Sequence, residues 1–387
     1  MRITFLGDVM MQPEQLPLYS DGNRYDFAEC FEFLSKYLQE SDYTIANLET
    51  PIADNTEGGY TNKLYEFNTP VEFARALKDA GVNMVTTANN HCLDRGLEGL
   101  FLTNDNLDMI GIDHIGTRNC QGDSFVIKKI GNVNVGFLAF TYGTNAFANN
   151  NYLTEEEYKY VDMLQNQELS NSFDRNLLYN RKIPYKLLRV LYRAFGKGQF
   201  DVAPYERREK NKKRLTYYFE QIKKCRNQGA DIVISMLHIG GQYNEQPSEY
   251  TKEMCSLSIE NGASFVVANH EHVIHGWDYY NGHFCEHSLG NLVSVNGVTV
   301  EPFDKMAQYS MALNADIERE IISYSFSLFH SVLKDNGKIV CIPVFDEWNS
   351  IEANKKDKLE KDVSVILNRL YHTQDKKYQI KSEYSIS

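Results

Sequence analysis

Side chains able to bind a metal stand at the ends of apolar, strand-like runs five times in this chain. Asp8 follows the run at 3–6, Glu49 the run at 43–46, and Asn90 and His91 the run at 82–86. His238 follows the run at 232–237, and His270 and His272 follow the run at 264–268. In an α/β sheet, ligands bind outside the carboxyl ends of strands, so such residues can converge on one edge. Two carboxylates, one amide and several imidazoles are a donor set for a divalent metal of borderline hardness. Taken singly, each has a plainer reading. Gly7-Asp8 suits a turn or a helix cap, Glu49 before Thr50-Pro51 suits a surface loop, and His238 suits a satisfied core imidazole. Their joint occurrence at successive strand ends favours one shared site.

The apolar runs alternate with amphipathic stretches. Phe27, Phe31, Phe33, Leu34, Tyr37 and Leu38 form a helical stripe. A helix over 69–80 opens with Pro70 in its first turn and stops at Gly81, and another covers 96–109. This βαβα rhythm predicts an α/β fold with a mostly parallel sheet covered by helices. Hairpins are expected around Gly131-Asn132, joining 125–130 to 133–140, and around Asn336-Gly337, joining 321–333 to 338–343. The rhythm breaks after Tyr142. Residues 144–204 read as a helical insertion, either a lid over the site or a surface helical pair. A charged helix follows over 206–228, and Gly229 ends it. The expected organisation is one domain over 1–345, carrying the insertion, with a C-terminal helical tail over 346–387 that frays at its end.

Composition limits the partners. The formal net charge of −12 argues against nucleic acid or an anionic membrane surface as the main partner. It also raises the question of how such a chain would attract an anionic substrate, to which a bound divalent metal would be one local answer. The seven cysteines include no CxxC pair and are odd in number, which reads as free thiols in a reducing compartment. No apolar run reaches the roughly 18 residues that span a bilayer, and no signal-like segment follows Met1. The expectation is a cytoplasmic protein without a membrane span. P-loop, Rossmann and nucleophile-elbow motifs are absent.

Six ordered motifs carry a resemblance. They are Gly7-Asp8-Val9-Met10, Asn47-Leu48-Glu49-Thr50-Pro51, the run from Ala88 through Asn90-His91 to Asp94-Arg95-Gly96, His238-Ile239-Gly240-Gly241, His270-Glu271-His272-Val273 and Ser288-Leu289-Gly290-Asn291. In this order the chain resembles the bacterial capsule synthesis family, the CapA or poly-γ-glutamate capsule type, over about residues 1–145 and 205–295. That family is similar in fold and site layout to calcineurin-like metallophosphoesterases, so the resemblance implies a metallophosphoesterase-like α/β sandwich. It further implies one or two divalent ions (Mn, Fe or Zn). Glu49 would bridge them, Asp8 and His272 would hold one, and Asn90, His238 and His270 would hold the other. His91, oriented by Asp94, would be the general acid, and metal-bound hydroxide would attack a phosphoester. The substrate would be an anionic surface-polymer precursor or a phosphoester. Two other readings stay open: cleavage or transfer at a γ-glutamyl amide, and a non-catalytic assembly factor. The chain departs from the pattern at Met10, where phosphoesterases of this fold carry His, and at Ile239, Gln242 and His275.

Overall fold

The structure, a computed structural model, describes residues 1–53, 59–62, 66–167, 211–244, 246–295, 298, 306–319 and 321–386. One sheet runs β13 (Ile339–Pro343), β12 (Ile321–Leu333), β11 (Tyr309–Glu318), β1 (Arg2–Val9), β2 (Tyr43–Leu48), β3 (Met84–Thr86) and β4 (Asp113–Ile115). The other runs β5 (Val126–Ile130), β6 (Val133–Thr141), β7 (Ile232–His238), β8 (Phe265–Asn269), β10 (His283–Glu286) and β9 (Trp277–Tyr280). Strands β1 to β4 pair in parallel, as do β6, β7 and β8.

Period-two alternation assigns the side chains of these strands to two layers each. Ile3, Phe5, Ile45 and Met84 of the first sheet face Phe137, Ala139, Ile234, Met236, Phe265 and Val267 of the second. Phe5 and Phe265 meet edge-on across that layer, with ring centroids 5.7 Å apart. The alternate positions point outward. Leu6, Ala46 and Val85 pack with Leu34 of α1 (Glu32–Tyr37), Phe73 and Leu77 of α2 (Val71–Asp79) and Leu107 of α3 (Gly96–Ile110). On the far side, Leu138, Phe140, Val233 and Val266 pack with other helices. Those are α5 (Lys212–Asn227), through Tyr218 and Ile222, and α6 (Glu249–Glu260), through Met254 and Ile259. With both faces buried, the parallel strands need apolar residues at nearly every position, which is why they read as continuous runs. The result is the expected α/β sandwich, with helices on both outer faces.

Both hairpins form where expected, with Gly131 and Gly337 in the left-handed region. The helix expected over 69–80 is α2, with Pro70 at its N-cap and Gly81 at φ 107° beyond its end. The stripe from Phe27 to Leu38 is broken rather than continuous: α1 lies between two 3-10 turns, Ala28–Phe31 and Leu38–Glu40. The described part of the insertion holds only the short α4 (Ala146–Asn149) and a 3-10 turn, Glu157–Tyr160, so it is less helical than its composition implies. Residues 168–204 of the expected insertion and 206–210 of the charged helix lie outside the described residues. The tail does not fray as expected. After α7 (Val344–Ser350) and α8 (Ala353–Leu370), β14 (Tyr384–Ile386) pairs with β12. Val363, Ile366, Leu367 and Tyr384 belong to the inter-sheet core. Among the described residues, no helix is long and apolar enough to cross a membrane. The seven cysteines form no disulfide, and all except Cys120 are buried.

Candidate metal centre

The parallel strands of both sheets deliver their carboxyl ends to the same rim of the sandwich. Asp8 lies within β1, just past a register shift between Phe5 and Asp8 in the pairing with β2. Glu49 follows β2 directly, and its N–H donates to Val9 O at 2.9 Å. His238 closes β7, and His270 follows β8. Asn90 and His91 come from the loop between β3 and α3. Asp8, Glu49, Asn90, His91, Asp94, His238, His270 and His272 are all buried.

The donor atoms converge. Ligand atoms of Glu49, His270 and His272 lie within 4.8 Å of one another, and so do those of Asp8, Glu49 and His238. His238 Nε2 is 3.4 Å and His272 Nε2 3.8 Å from Glu49 Oε1. His238 Nε2 also lies 2.7 Å from Asn90 Oδ1. Both carboxylate oxygens of Glu49 and Nδ1 of His270 are buried without a hydrogen-bond partner. Orphaned buried acceptors are costly, and acceptors facing one another are what a cation would satisfy. The residues present therefore fit a divalent ion. His270 and His272 take positive φ values of 105° and 59°. Such backbone costs on the order of 1–3 kcal/mol per residue and concentrates at functional sites.

The ionisation states follow from the same geometry. Burial pulls the His272 imidazole down, but the carboxylates of Glu49 and Asp8 outweigh it and raise it to about 9. Burial drives His270 well below its ordinary range, and the neighbouring imidazoles of His238, His272 and His91 add to the effect. For Asp8, burial works upward, yet hydrogen bonds from His272 and Asn47 and the nearby imidazole charges hold it below the usual value. His91 is pulled down by burial, and the charge and hydrogen bond of Asp94, with the charge of Glu49, raise it on balance. In the metal-free protein the His272 proton stabilises the fold fully below its ordinary value of 6.5, and that contribution is lost as pH rises through about 9. A metal that took His272 as a ligand would displace this proton, so its apparent affinity should rise across the same window, by at most about tenfold per pH unit. Calorimetric titration with zinc at the two ends of the window checks this, and a flat affinity would contradict it.

The structure brings together every residue that the sequence pointed to. It also adds several that sequence reasoning missed. Asn47 Nδ2 donates to Asp8 Oδ1 at 2.7 Å and lies 3.1 Å from His238 Nδ1, linking the two sheets. Asn291 Oδ1 lies 2.9 Å from His272 Nδ1. Phe67 stacks on His91 with centroids 4.2 Å apart, and Tyr142 covers His270 at 4.7 Å. Asn47 and Asn291 stand inside the two motifs around Glu49 and Gly290, and that proximity was the only signal available. His91 Nδ1 lies 2.6 Å from Asp94 Oδ2, the orientation that the motif implied.

The family model described as bacterial capsule synthesis protein PGA_cap matches residues 2–296. The capsule biosynthesis protein CapA of Bacillus anthracis is 23% identical over 378 residues, covering 93% of this chain and 79% of that one. The PGA biosynthesis protein CapA of Bacillus subtilis (strain 168) is 22% identical over 316 residues, covering 80% and 68%. Among solved structures, a hypothetical protein from Thermus thermophilus aligns at 14% identity and a TM-score of 0.39, covering 89% of this chain and 98% of that one.

Proposed function

The chain belongs to the bacterial capsule synthesis protein family, and we propose that it is a metal-dependent hydrolase that cleaves a phosphoester during the making or tailoring of a surface polymer. One observation carries this reading. The Glu49 carboxylate is fully buried and neither oxygen accepts a hydrogen bond, while His238, His270 and His272 crowd around it. A purely structural site would not be expected to keep such an arrangement, because a buried carboxylate that accepts no hydrogen bond is costly.

In this reading Glu49 is shared between the two halves of the site. Asp8 and His272 would hold one ion, and Asn90, His238 and His270 would hold the other. When bound, a divalent ion supplies Lewis acidity and brings the pKa of water towards neutrality. The chain does the rest. Asp94 occupies Nδ1 of His91, which leaves Nε2 to give a proton to the departing oxygen. Phe67 lies flat against the imidazole and limits its rotation. The raised His91 keeps that proton available near neutral pH.

Replacing His91 by Ala should lower phosphodiester hydrolysis by about 10²- to 10⁴-fold while the metal content stays the same. Unchanged hydrolysis would remove His91 from the mechanism. A second reading, cleavage or transfer at a γ-glutamyl amide, draws on the name of the Bacillus subtilis relative, a PGA biosynthesis protein. Digestion of a poly-γ-glutamate polymer, with no turnover of phosphoesters, would put it first. An assembly factor without activity draws on Met10, whose thioether is a poor ligand for hard metals.

A further inference from the structure

We propose that Asn149 is a positioning residue for His91, holding the Asp94 carboxylate from a segment that the sequence places in the insertion. The proposal rests on the reading of His91 as the general acid.

After β6 the chain turns back over the rim of the site. Asn145 and Asn150, at φ 51° and 54°, bracket the single turn of α4. A helix of four residues has no stability of its own, so its contacts must hold it in place. Three asparagines make those contacts, all to the loop of residues 90–94. Asn90 Nδ2 donates to Asn145 Oδ1 at 3.4 Å, Asn149 Nδ2 to Asp94 Oδ1 at 2.7 Å, and Asn151 Nδ2 to the carbonyl of Leu93 at 2.6 Å.

The middle contact has chemical consequence. Asp94 Oδ2 already serves His91 Nδ1 at 2.6 Å and the Phe67 N–H at 2.8 Å. Asn149 takes the other oxygen, so the carboxylate is gripped at both ends and cannot swing about its Cβ–Cγ bond. An amide is well suited to this. It donates a hydrogen bond without bringing a positive charge, so the full charge of Asp94 still acts on His91. Lys or Arg at this position would hold the carboxylate equally well but would compete with the imidazole for it.

The test uses the full chain with zinc as the added metal and compares Asn149→Ala and Asn149→Asp with wild type. The short Nδ1–H to carboxylate bond of His91 should give a far-downfield proton resonance, assigned by its loss in His91→Gln. Asn149→Ala should shift or broaden it. Asn149→Asp, which sets a second carboxylate against Asp94, should change it more. Phe147→Ser, on the same turn and 41% exposed, should leave it alone. With a phosphodiester that releases an alkoxide, Asn149→Ala should lower kcat about tenfold with KM unchanged, the scale seen when groups that orient active residues are removed. With a nitrophenolate leaving group, which needs no proton, the loss should be much smaller. A resonance in Asn149→Ala identical to wild type would overturn the proposal, as would an equal loss of kcat for both leaving groups. If wild type hydrolyses neither substrate, the phosphoester reading fails, and the resonance still decides whether Asn149 positions His91.

Discussion

Glu49→Gln should lose its divalent metal and, with it, hydrolysis, while remaining folded. Glutamine has the same shape as glutamate, so the buried pocket keeps its packing. What disappears is a carboxylate whose Oε1 lies 3.4 Å from His238 Nε2 and 3.8 Å from His272 Nε2, two imidazoles that come with the second sheet. Removing groups that merely orient ligands costs 10- to 100-fold in metal affinity, so removing this ligand should cost on the order of 100-fold or more. Elemental analysis of metal per chain, with a thermal melt of the same sample in chelator, checks both halves. Wild-type metal content in Glu49→Gln would eliminate the proposed centre. Loss of folding in chelator would show that the carboxylate is structural.

Gly7→Ala should be the most damaging single methyl in the first sheet. A Cβ at Gly7 would sit 2.0 Å from the Gly290 carbonyl oxygen and 2.9 Å from its carbon, both backbone atoms that cannot turn aside. The same carbonyl accepts the Asp8 N–H at 2.9 Å, so forcing β1 away from the Gly290 segment also breaks that bond. Overpacking of about 1–3 kcal/mol plus a lost hydrogen bond of about 1 kcal/mol gives an expected destabilisation of about 3 kcal/mol. That is a large fraction of the roughly 5–15 kcal/mol by which domains are stable. Chemical denaturation of the metal-free protein measures it directly, and a change under about 0.5 kcal/mol, the level of ordinary surface substitutions, would contradict the packing argument.

The candidate site was the most legible part of the sequence, and the reason is topological. Parallel strands buried on both faces must be apolar along their length, so polar side chains able to bind a metal are confined to their ends. Asp8, Glu49, His238 and His270 stand there because few other positions in the sandwich would tolerate them. The groups that orient them were harder to see. Asn47 lies inside β2, where a polar residue looks like an interruption, and only the fold shows it opposite Asp8 on one side and Thr86 on the other. Asn149 and Asp94 are 55 residues apart, and no local pattern joins them. Strand β11 escaped notice for a related reason. Its Ser310 and Asn314 are polar yet buried, and Asn314 is satisfied by Thr4 and Tyr37, so hydropathy alone did not mark it as a central strand. The final strand, β14, is three residues long and pairs with β12 more than fifty positions earlier in the chain. A run that short carries no periodicity to read.

The candidate ligands are divided evenly across the sandwich: Asp8, Glu49 and Asn90 come with the first sheet, His238, His270 and His272 with the second. A cation held by both sets is therefore a clasp between two slabs, and the slabs' separation determines whether it can close. That separation is set well below the rim, where Phe5 meets Phe265 and the other inward side chains fill the gap. Those rings are the gauge of the centre as well as part of its foundation. Core and site are one mechanical system, and a change of volume in the middle layer alters the aperture at the top.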